Sequence, residues 1–398
     1  MRLKLDKARK IFIKIEVLFA FIVNCIKCKI RRKNKNFSND FLIFSLGSLG
    51  DTVYIIDLLA AINETYKKSE KHVYFMGLSG TIDFLKKYSS IDLDYISMEF
   101  TTTSVSFTSY VNAYKDISKK KFDKIICLQR DIYIQSILLA TSFDELLVFD
   151  NNTSRKKGIL FKIFMKFSKA ESYEYPYNTT WKERKKFIAE KLYIKEYLPE
   201  YPQIRTIENT CSYKSYLVFC PTAQYCDRSI PQELSAGIIN YILDKTNMQI
   251  ILSGNKKDIK YCNDILDKID EKKNGRILNM VGRTSFDEFI DILSKSVFII
   301  SCDSGPAHLG PALGKRTLVV SGYWDSNIVF PYENEEMKDC LSLCIKSNKK
   351  YGCEGCSIFK HRGYNNVLCS RNIKDGKPVI CLYDIEFSDI KTVLDRML

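Results

Sequence analysis

The apolar residues of this chain fall into short runs, each ending at a polar turn and giving way to residues spaced as on a helix. Phe41-Leu42-Ile43-Phe44-Ser45-Leu46 is a strand signal, and Gly47-Ser48-Leu49-Gly50-Asp51 makes the turn. Thr52–Tyr66 then carries helical periodicity through Val53, Ile56, Leu59, Ala60 and Ile62. His72–Met76 reads as a second strand with a helix over Ile82–Tyr88, and Lys124–Gln129 as a later strand with a helix over Ile132–Thr141. Residues 150–210, rich in Lys, Tyr and Glu, show little strand character and read as helices and an interdomain connection. A second series follows, with strands at Tyr216–Cys220, Gln249–Leu252, Val297–Ile300 and Thr317–Val320. Its helices are expected over Pro231–Lys245, Lys257–Ile269 and Phe286–Ser294, and from Pro306. Strands alternating with helices predict an α/β fold with parallel, doubly wound sheets. Two such series predict two domains holding a ligand in a cleft between them.

A chain of 398 residues is long enough for two cores, and 45% hydrophobic residues exclude a disordered protein. Charge adds a third region. Residues 1–36 carry twelve Lys/Arg against Asp6 and Glu16, a net +10 of the chain's +14. The basicity thus belongs to an N-terminal arm, and no nucleic-acid groove is needed to account for it. The arm's longest uncharged stretch runs only from Val17 to Ile26. That is short of the roughly 20 apolar residues a spanning helix needs, and no small-residue cleavage site follows it. Lys7, Arg9 and Lys10 precede this stretch, and Lys27, Lys29, Arg31, Arg32 and Lys33 follow it. The pattern suits an interfacial helix held to anionic lipid, against the alternative of a helix packed on the body with a solvated basic face.

Chemistry concentrates at three turns. Ser301-Cys302-Asp303-Ser304-Gly305-Pro306-Ala307-His308 leaves a buried strand and starts a helix. Ser304 or Asp303 can cap that helix, Pro306 suits its first turn, and its N-terminal N–H groups suit an anion such as a diphosphate. His308 in the first turn is a ligand candidate, set against the commoner structural histidine. Gly47-Ser48-Leu49-Gly50 supplies only G-x-x-G, short of the dinucleotide fingerprint, so NAD or FAD is discounted. Asp51, which follows, is a cap by default. Pro221–Pro231 places Arg228 between strand and helix, able to reach a phosphate. Asp92-Leu93-Asp94 has the D-x-D form of some metal sites, but the alternation of Ile91–Ile96 favours a half-exposed strand.

Taken in order, these segments resemble glycosyltransferase family nine, the ADP-heptose:lipopolysaccharide heptosyltransferases. Phe41–Val53 is similar to the family's opening strand and S-x-G-D turn, and Phe122–Gln129 with Ser136 to its D-L-Q…S segment. Asn279–Phe289 resembles G-x-T-S-L-x-E-L, and Asp303–Leu309 with Ala312-Leu313-Gly314 is the most specific mark. The matches are collinear from about residue 41 to 385. The resemblance implies a GT-B fold: two Rossmann-like doubly wound domains facing a central cleft, with acceptor on the N-terminal side and nucleotide sugar on the C-terminal side. It implies inverting transfer with no required cofactor or essential metal. Asp51 matches the general base, and Gly47, Ser48 and Gly50 its acceptor-side turn. Arg228 matches the basic contact to the donor phosphates, Asp303, Ser304, Gly305 and His308 the donor loop, and Thr222 the phosphate-side loop. The chain departs from the pattern at Cys127, where an acid is frequent, and at Gln135, where a basic residue is common; both positions border the acceptor side.

Fourteen cysteines without a secretory signal read as a reducing cytoplasm and mostly free thiols. Six lie late: Cys340, Cys344, Cys353, Cys356, Cys369 and Cys381. Cys353-x-x-Cys356 has the spacing of half a zinc site that Cys369 and Cys381 could complete; a structural zinc, a disulfide and free loop thiols all stay open. Cys381–Ile385 fits the family's C-L/M-x-x-I ending. The expected domains are the arm 1–36, an acceptor domain 37–205 and a nucleotide-sugar domain 206–398 with the Cys-rich loop 340–381 and a terminal helix. The expected enzyme is peripheral on the inner face of the cytoplasmic membrane. It moves a sugar, heptose from ADP-heptose foremost, onto a lipopolysaccharide-core or other lipid-linked saccharide. The alternatives are another nucleotide sugar for a capsule or surface glycan, and a non-catalytic nucleotide-sugar binder.

Overall fold

The computed structural model describes residues 40–101, 104–105, 107–128, 136–151, 159–175, 179–195, 203–206, 215–224, 228–323, 342–347 and 380–398. The arm 1–36, Gln135, and Cys340, Cys353, Cys356 and Cys369 lie outside them. Two compact units result, one mainly from residues before 199 and one mainly from Pro199–Leu398.

The first unit runs β1 (Phe41–Phe44), α1 (Leu49–Lys67), β2 (Val73–Leu78), α2 (Ser79–Tyr88) and β3 (Asp94–Met98). An antiparallel pair follows, β4 (Phe100–Thr101) and β5 (Ser104–Val105). Then come α3 (Phe107–Ser118), β6 (Lys121–Cys127), a short 3-10 segment at Ser136–Ala140, β7 (Ser142–Asn151), α4 (Ile159–Ser168), β8 (Glu171–Tyr175) and α5 (Trp181–Lys191). Six strands form one parallel sheet in the order β3-β2-β1-β6-β7-β8. The central strand β1 pairs Phe41 with Val73 on one side and Lys124 on the other. A strand covered on both faces must be apolar at every position, and Phe41, Leu42, Ile43 and Phe44 are all fully buried. Each such side chain contributes about 1.5–3 kcal/mol of burial.

The second unit repeats this plan. It runs β9 (Tyr216–Cys220), α6 (Gln232–Lys245), β10 (Gln249–Leu252), α7 (Ile259–Leu266), β11 (Ile277–Asn279) and α8 (Phe286–Lys295). It continues with β12 (Ile299–Cys302), α9 (Gly305–Ala312), β13 (Thr317–Val320), β14 (Ser342–Ile345), α10 (Ile380–Tyr383) and α11 (Phe387–Met397). Its parallel sheet has the order β11-β10-β9-β12-β13-β14. In both sheets the strands therefore lie, counted along the chain, as third, second, first, fourth, fifth, sixth. Chain direction across the sheet reverses between the first and fourth strands. This is the doubly wound order, and ligands of such sheets bind at the carboxyl ends flanking that reversal.

Several expectations need correction. Residues 150–210 are not poor in strand: β8 is the sheet's edge, where Glu171 and Glu174 face solvent. An edge strand buried on one side only lacks the apolar run that marks a central one. The start of the expected 132–141 helix lies outside the described residues, and its end is the 3-10 segment Ser136–Ala140. The strand expected from Val297 begins at Ile299, and Val297 is 46% exposed. The half-exposed reading of Ile91–Ile96 needs no such change: Leu93 and Ile96 are buried while Asp92 and Asp94 are exposed, Asp92 pairing with Lys67 at 3.2 Å and Asp94 lying 3.6 Å from His72.

Candidate active site

The turn after β1 is shaped by the need to end a central strand and start a helix within four residues. The ladder continues past β1, since Ser45 N–H donates to Met76 O at 3.0 Å and Leu128 N–H to Phe44 O at 3.0 Å. Gly47 is buried and its carbonyl accepts from the Thr81 hydroxyl at 3.4 Å. Ser48 is the extended N-cap of α1, and Asp51 is the third helical residue. The Ser48 N–H and hydroxyl both donate to Oδ2 of Asp51, each at 2.8 Å. The cap expected by default is therefore present. It engages one carboxylate oxygen; among the described residues Oδ1 accepts no hydrogen bond, and the side chain is only half-buried. Gly50 is buried in the same first turn.

In the second unit the corresponding turns follow β9 and β12, adjacent strands joined in register from Ile299–Val218 to Ser301–Cys220. The loop after β9 folds on itself: Ile230 N–H donates to Pro221 O at 2.8 Å and Ala223 N–H to the Ser229 hydroxyl at 3.1 Å. That closure carries Arg228 towards the turn after β12, where its Nη1 donates to Oδ2 of Asp303 at 3.4 Å. The two side chains retain 18% and 12% of their exposure. An ion pair this far out of water is costly to break from one side, because the remaining charge loses its compensation.

Ser304 is the N-cap residue of α9 by backbone, but its side chain makes no cap hydrogen bond. Its Oγ turns to the end of β12, 3.4 Å from the Ser301 hydroxyl, and accepts from the Cys302 thiol at 3.3 Å. Burial pushes that thiol up to about 12, so it keeps the proton it donates. With Ser304 turned inward, the helix N-terminus keeps its positive end for an outside anion. Pro306 has no N–H and Ala307 N–H donates to Ser304 O at 3.0 Å, which leaves Gly305 N–H as the first-turn donor for a ligand. His308 is half-buried one position after Ala307. Gly310 lets α9 lie on the sheet, since a Cβ there would strike Thr317 Oγ1 and come 3.0 Å from Ile299 Cδ1.

Of the residues singled out in sequence, Thr222, Arg228, Asp303, Ser304, Gly305 and His308 all lie at the carboxyl ends of β9 and β12 or on the helix that follows β12. Gly47, Ser48, Gly50 and Asp51 occupy the equivalent end of β1 in the first unit. Cys127 is fully buried in that unit's core, its thiol among apolar side chains. Cys381 is buried on α10, where its sulfur accepts from Tyr323 N–H at 3.2 Å. Sequence reasoning missed Asp258, whose Oδ2 accepts from the Thr222 hydroxyl at 3.0 Å. The signal was present as Asn255 followed three residues later by an acid, the form of a helix-capping pair.

Residues 114–356 match the family described as glycosyltransferase family 9 (heptosyltransferase). Lipopolysaccharide heptosyltransferase 2 of Escherichia coli K12 is 24% identical over 133 residues, which span 31% of this chain and 38% of that protein. Among solved structures, the E. coli ADP-heptose LPS heptosyltransferase II superposes with a TM-score of 0.61 at 14% identity, covering 90% of this chain and 98% of that one. A family 9 glycosyl transferase from Veillonella parvula gives 0.66 at 13% identity, covering 92% and 98%. At these identities the structures establish the fold, GT-B with its two Rossmann-like sheets.

Proposed function

Since this chain belongs to glycosyltransferase family 9, the heptosyltransferase family, we propose that it transfers a sugar, heptose from ADP-heptose foremost, onto a lipid-linked saccharide. The observation that carries the reading beyond family membership is the Arg228–Asp303 pair beside the uncapped start of α9, at the sheet's reversal point. Such a place suits a nucleotide diphosphate, whose oxygens can take bidentate bonds from a guanidinium and a bond from Gly305 N–H.

In the proposed reaction an acceptor hydroxyl oxygen attacks the anomeric carbon from the face opposite the diphosphate. The bond from that carbon to the phosphate oxygen breaks, its electron pair leaves with the nucleotide diphosphate, and configuration inverts. Asp51 accepts the hydroxyl proton through the carboxylate oxygen not used by Ser48. Arg228 and the backbone N–H of Gly305 meet the charge that develops on the leaving group, so a metal ion is not essential. Thr222 and His308 border the same loops. The acceptor's lipid places the enzyme on the inner face of the cytoplasmic membrane, with residues 1–36 as the basic contact. Among the described residues no helix is long and apolar enough to cross a membrane.

The test is a donor screen with product analysis. ADP-heptose should be consumed only with a lipid-linked saccharide present and give a product of inverted anomeric configuration. Transfer from a different nucleotide sugar would change the donor and keep the chemistry. Tight binding of ADP-heptose with no turnover on any acceptor would favour the non-catalytic binder, in which Asp51 serves only as the cap of α1.

A further inference from the structure

Residues 151–170 hold six basic side chains, Arg155, Lys156, Lys157, Lys162, Lys166 and Lys169, and no acid. That net +6 exceeds the +4 which the arm leaves to all of residues 37–398, so the charge is a local concentration. The same stretch contains α4, in which seven of ten residues are Ile, Leu, Phe or Met. Such a composition suits a helix buried on every side, yet α4 is not buried so. Phe164 and Ser168 are buried, while Ile163, Met165 and Phe167 are only half-buried against the core. Lys162 and Lys166, one helical turn apart, share the face opposite Phe164, and Lys169 follows just past the helix end. All three are exposed. Elsewhere in this unit Lys67, Lys71 and Lys124 each pair with a carboxylate. Among the described residues Lys162, Lys166 and Lys169 have no such partner.

An exposed lysine stripe flanked by half-buried Ile, Met and Phe has the makeup of a helix that lies in the interface of a bilayer. Lysine stems cover apolar flanks in water and can turn their charge to headgroups when lipid replaces the water. We propose that α4 is a second membrane contact, laid on an anionic lipid surface through Lys162, Lys166 and Lys169 with Ile163, Met165 and Phe167 at headgroup level. The inference deepens the membrane part of the proposed function and rests on it. Its place in the fold gives the contact a use. Helix α4 follows the carboxyl end of β7, and β7 stands two places from β1 in the sheet, about 10 Å. A saccharide whose lipid lies under α4 therefore starts near the turn that carries Asp51. The arm, by contrast, leads into the amino end of β1, so it tethers the chain without presenting that turn.

The test is sedimentation of the full chain with vesicles, of phosphatidylcholine alone or in equal parts with phosphatidylglycerol. Wild type should bind the anionic vesicles far more tightly, and salt should weaken that binding. K162Q/K166Q/K169Q should lower the partition coefficient about a hundredfold, since each lysine near an anionic surface is worth about fivefold. K162R/K166R/K169R should bind as wild type, because charge is what the surface reads. Affinity for ADP by calorimetry should be unchanged in both variants, which separates lost lipid contact from lost folding. Acetylation of lysines, read by mass spectrometry, should slow at these three positions when anionic vesicles are present. A glutamine variant that binds vesicles as wild type does, or unchanged acetylation, would overturn the inference. The membrane reading would then stand on the arm, provided that neutralising the arm's lysines still releases the chain. Self-association of wild type that the glutamine variant abolishes, with vesicle binding unchanged, would give this face to a second copy and overturn the inference too. A wild-type chain that ignores anionic vesicles would remove the membrane reading and the inference with it, and leave sugar transfer standing.

Discussion

Arg228 and Asp303 are 75 positions apart in sequence, yet Nη1 of one donates to Oδ2 of the other at 3.4 Å. The contact exists because β9 and β12, first and fourth along the chain in their unit, are neighbours in the sheet. The pair fixes the guanidinium beside the start of α9, and an arriving diphosphate would find it already oriented. Pre-orientation lowers the entropy lost on binding, since the long arginine side chain is ordered before the ligand comes.

Removing either partner should therefore weaken donor binding by different routes. R228A should raise the dissociation constant for ADP by about ten- to a hundredfold through loss of a charge-assisted contact. D303N should cost less, about three- to tenfold, because the guanidinium remains and loses only its orientation. R228K should fall between R228A and wild type, a point charge replacing a planar fork. Calorimetry with ADP measures all three, and a D303N defect as deep as that of R228A would show that Asp303 meets the ligand directly.

Asp51 carries two separable tasks, and D51N should split them. The amide oxygen can still accept from Ser48, so the cap is weakened by about 1 kcal/mol or less. The proton of the attacking hydroxyl, however, loses its acceptor, and turnover should fall about 10²–10⁴-fold. Affinity for ADP should stay within about twofold of wild type, because the donor residues lie in the other sheet. Turnover in D51N within tenfold of wild type would end the general-base role and leave the cap as the residue's sole function.

How much of this was legible beforehand follows from which surfaces each element buries. β1, β9 and β12 are covered on both faces, and their unbroken apolar runs announced them together with the polar turns that follow. β8 was missed because an edge strand carrying Glu171 and Glu174 outward reads like a polar loop. Helix α1 begins at Leu49 and not at Thr52, for the glycine at 50 that looked like part of the turn is already helical. Asp51, Arg228 and Asp303 were found through motif order. Asp258 was legible from Asn255 as a helix cap, but its bond to Thr222 comes from the sideways adjacency of β9 and β10, which no short stretch of sequence contains.

The buried thiols give a pH dependence whose sign can be worked out. Burial raises the pKa of Cys302 and Cys262 to about 12, and that of Cys220 is raised too. A thiol held protonated in the folded state has its pKa above the unfolded value, so above that value the unfolded chain binds fewer protons. Stability from these groups is fully present below about pH 8.5 and falls as pH rises through the window up to about 12. Urea unfolding between pH 7 and 10.5 should show a midpoint flat at first and then declining. The triple variant C220A/C262A/C302A should lose the part of the decline that thiol ionisation causes. A decline of equal steepness in the triple variant would assign it to other groups. In the native wild type at pH 8, these three thiols should also resist a disulfide reagent that modifies them readily in denaturant, because thiolate is the reactive form.

Gly310 links packing to the donor site. A methyl group there would meet Thr317 Oγ1 and crowd Ile299, the two strands on which α9 lies. Neither neighbour can yield easily, since Thr317 and Ile299 are fully buried in β13 and β12. G310A should cost about 1–3 kcal/mol by overpacking, and the helix has to lift from the sheet to relieve it. Lifting α9 moves Gly305 away from the Arg228–Asp303 pair, so affinity for ADP should fall with stability. The compensating variant G310A/T317S removes a methyl but leaves the hydroxyl in place and should recover little. G310A/T317A opens the space and should restore most of both losses, as thermal unfolding and ADP titration would show. Full stability in G310A alone would mean that α9 does not press on the sheet at this point.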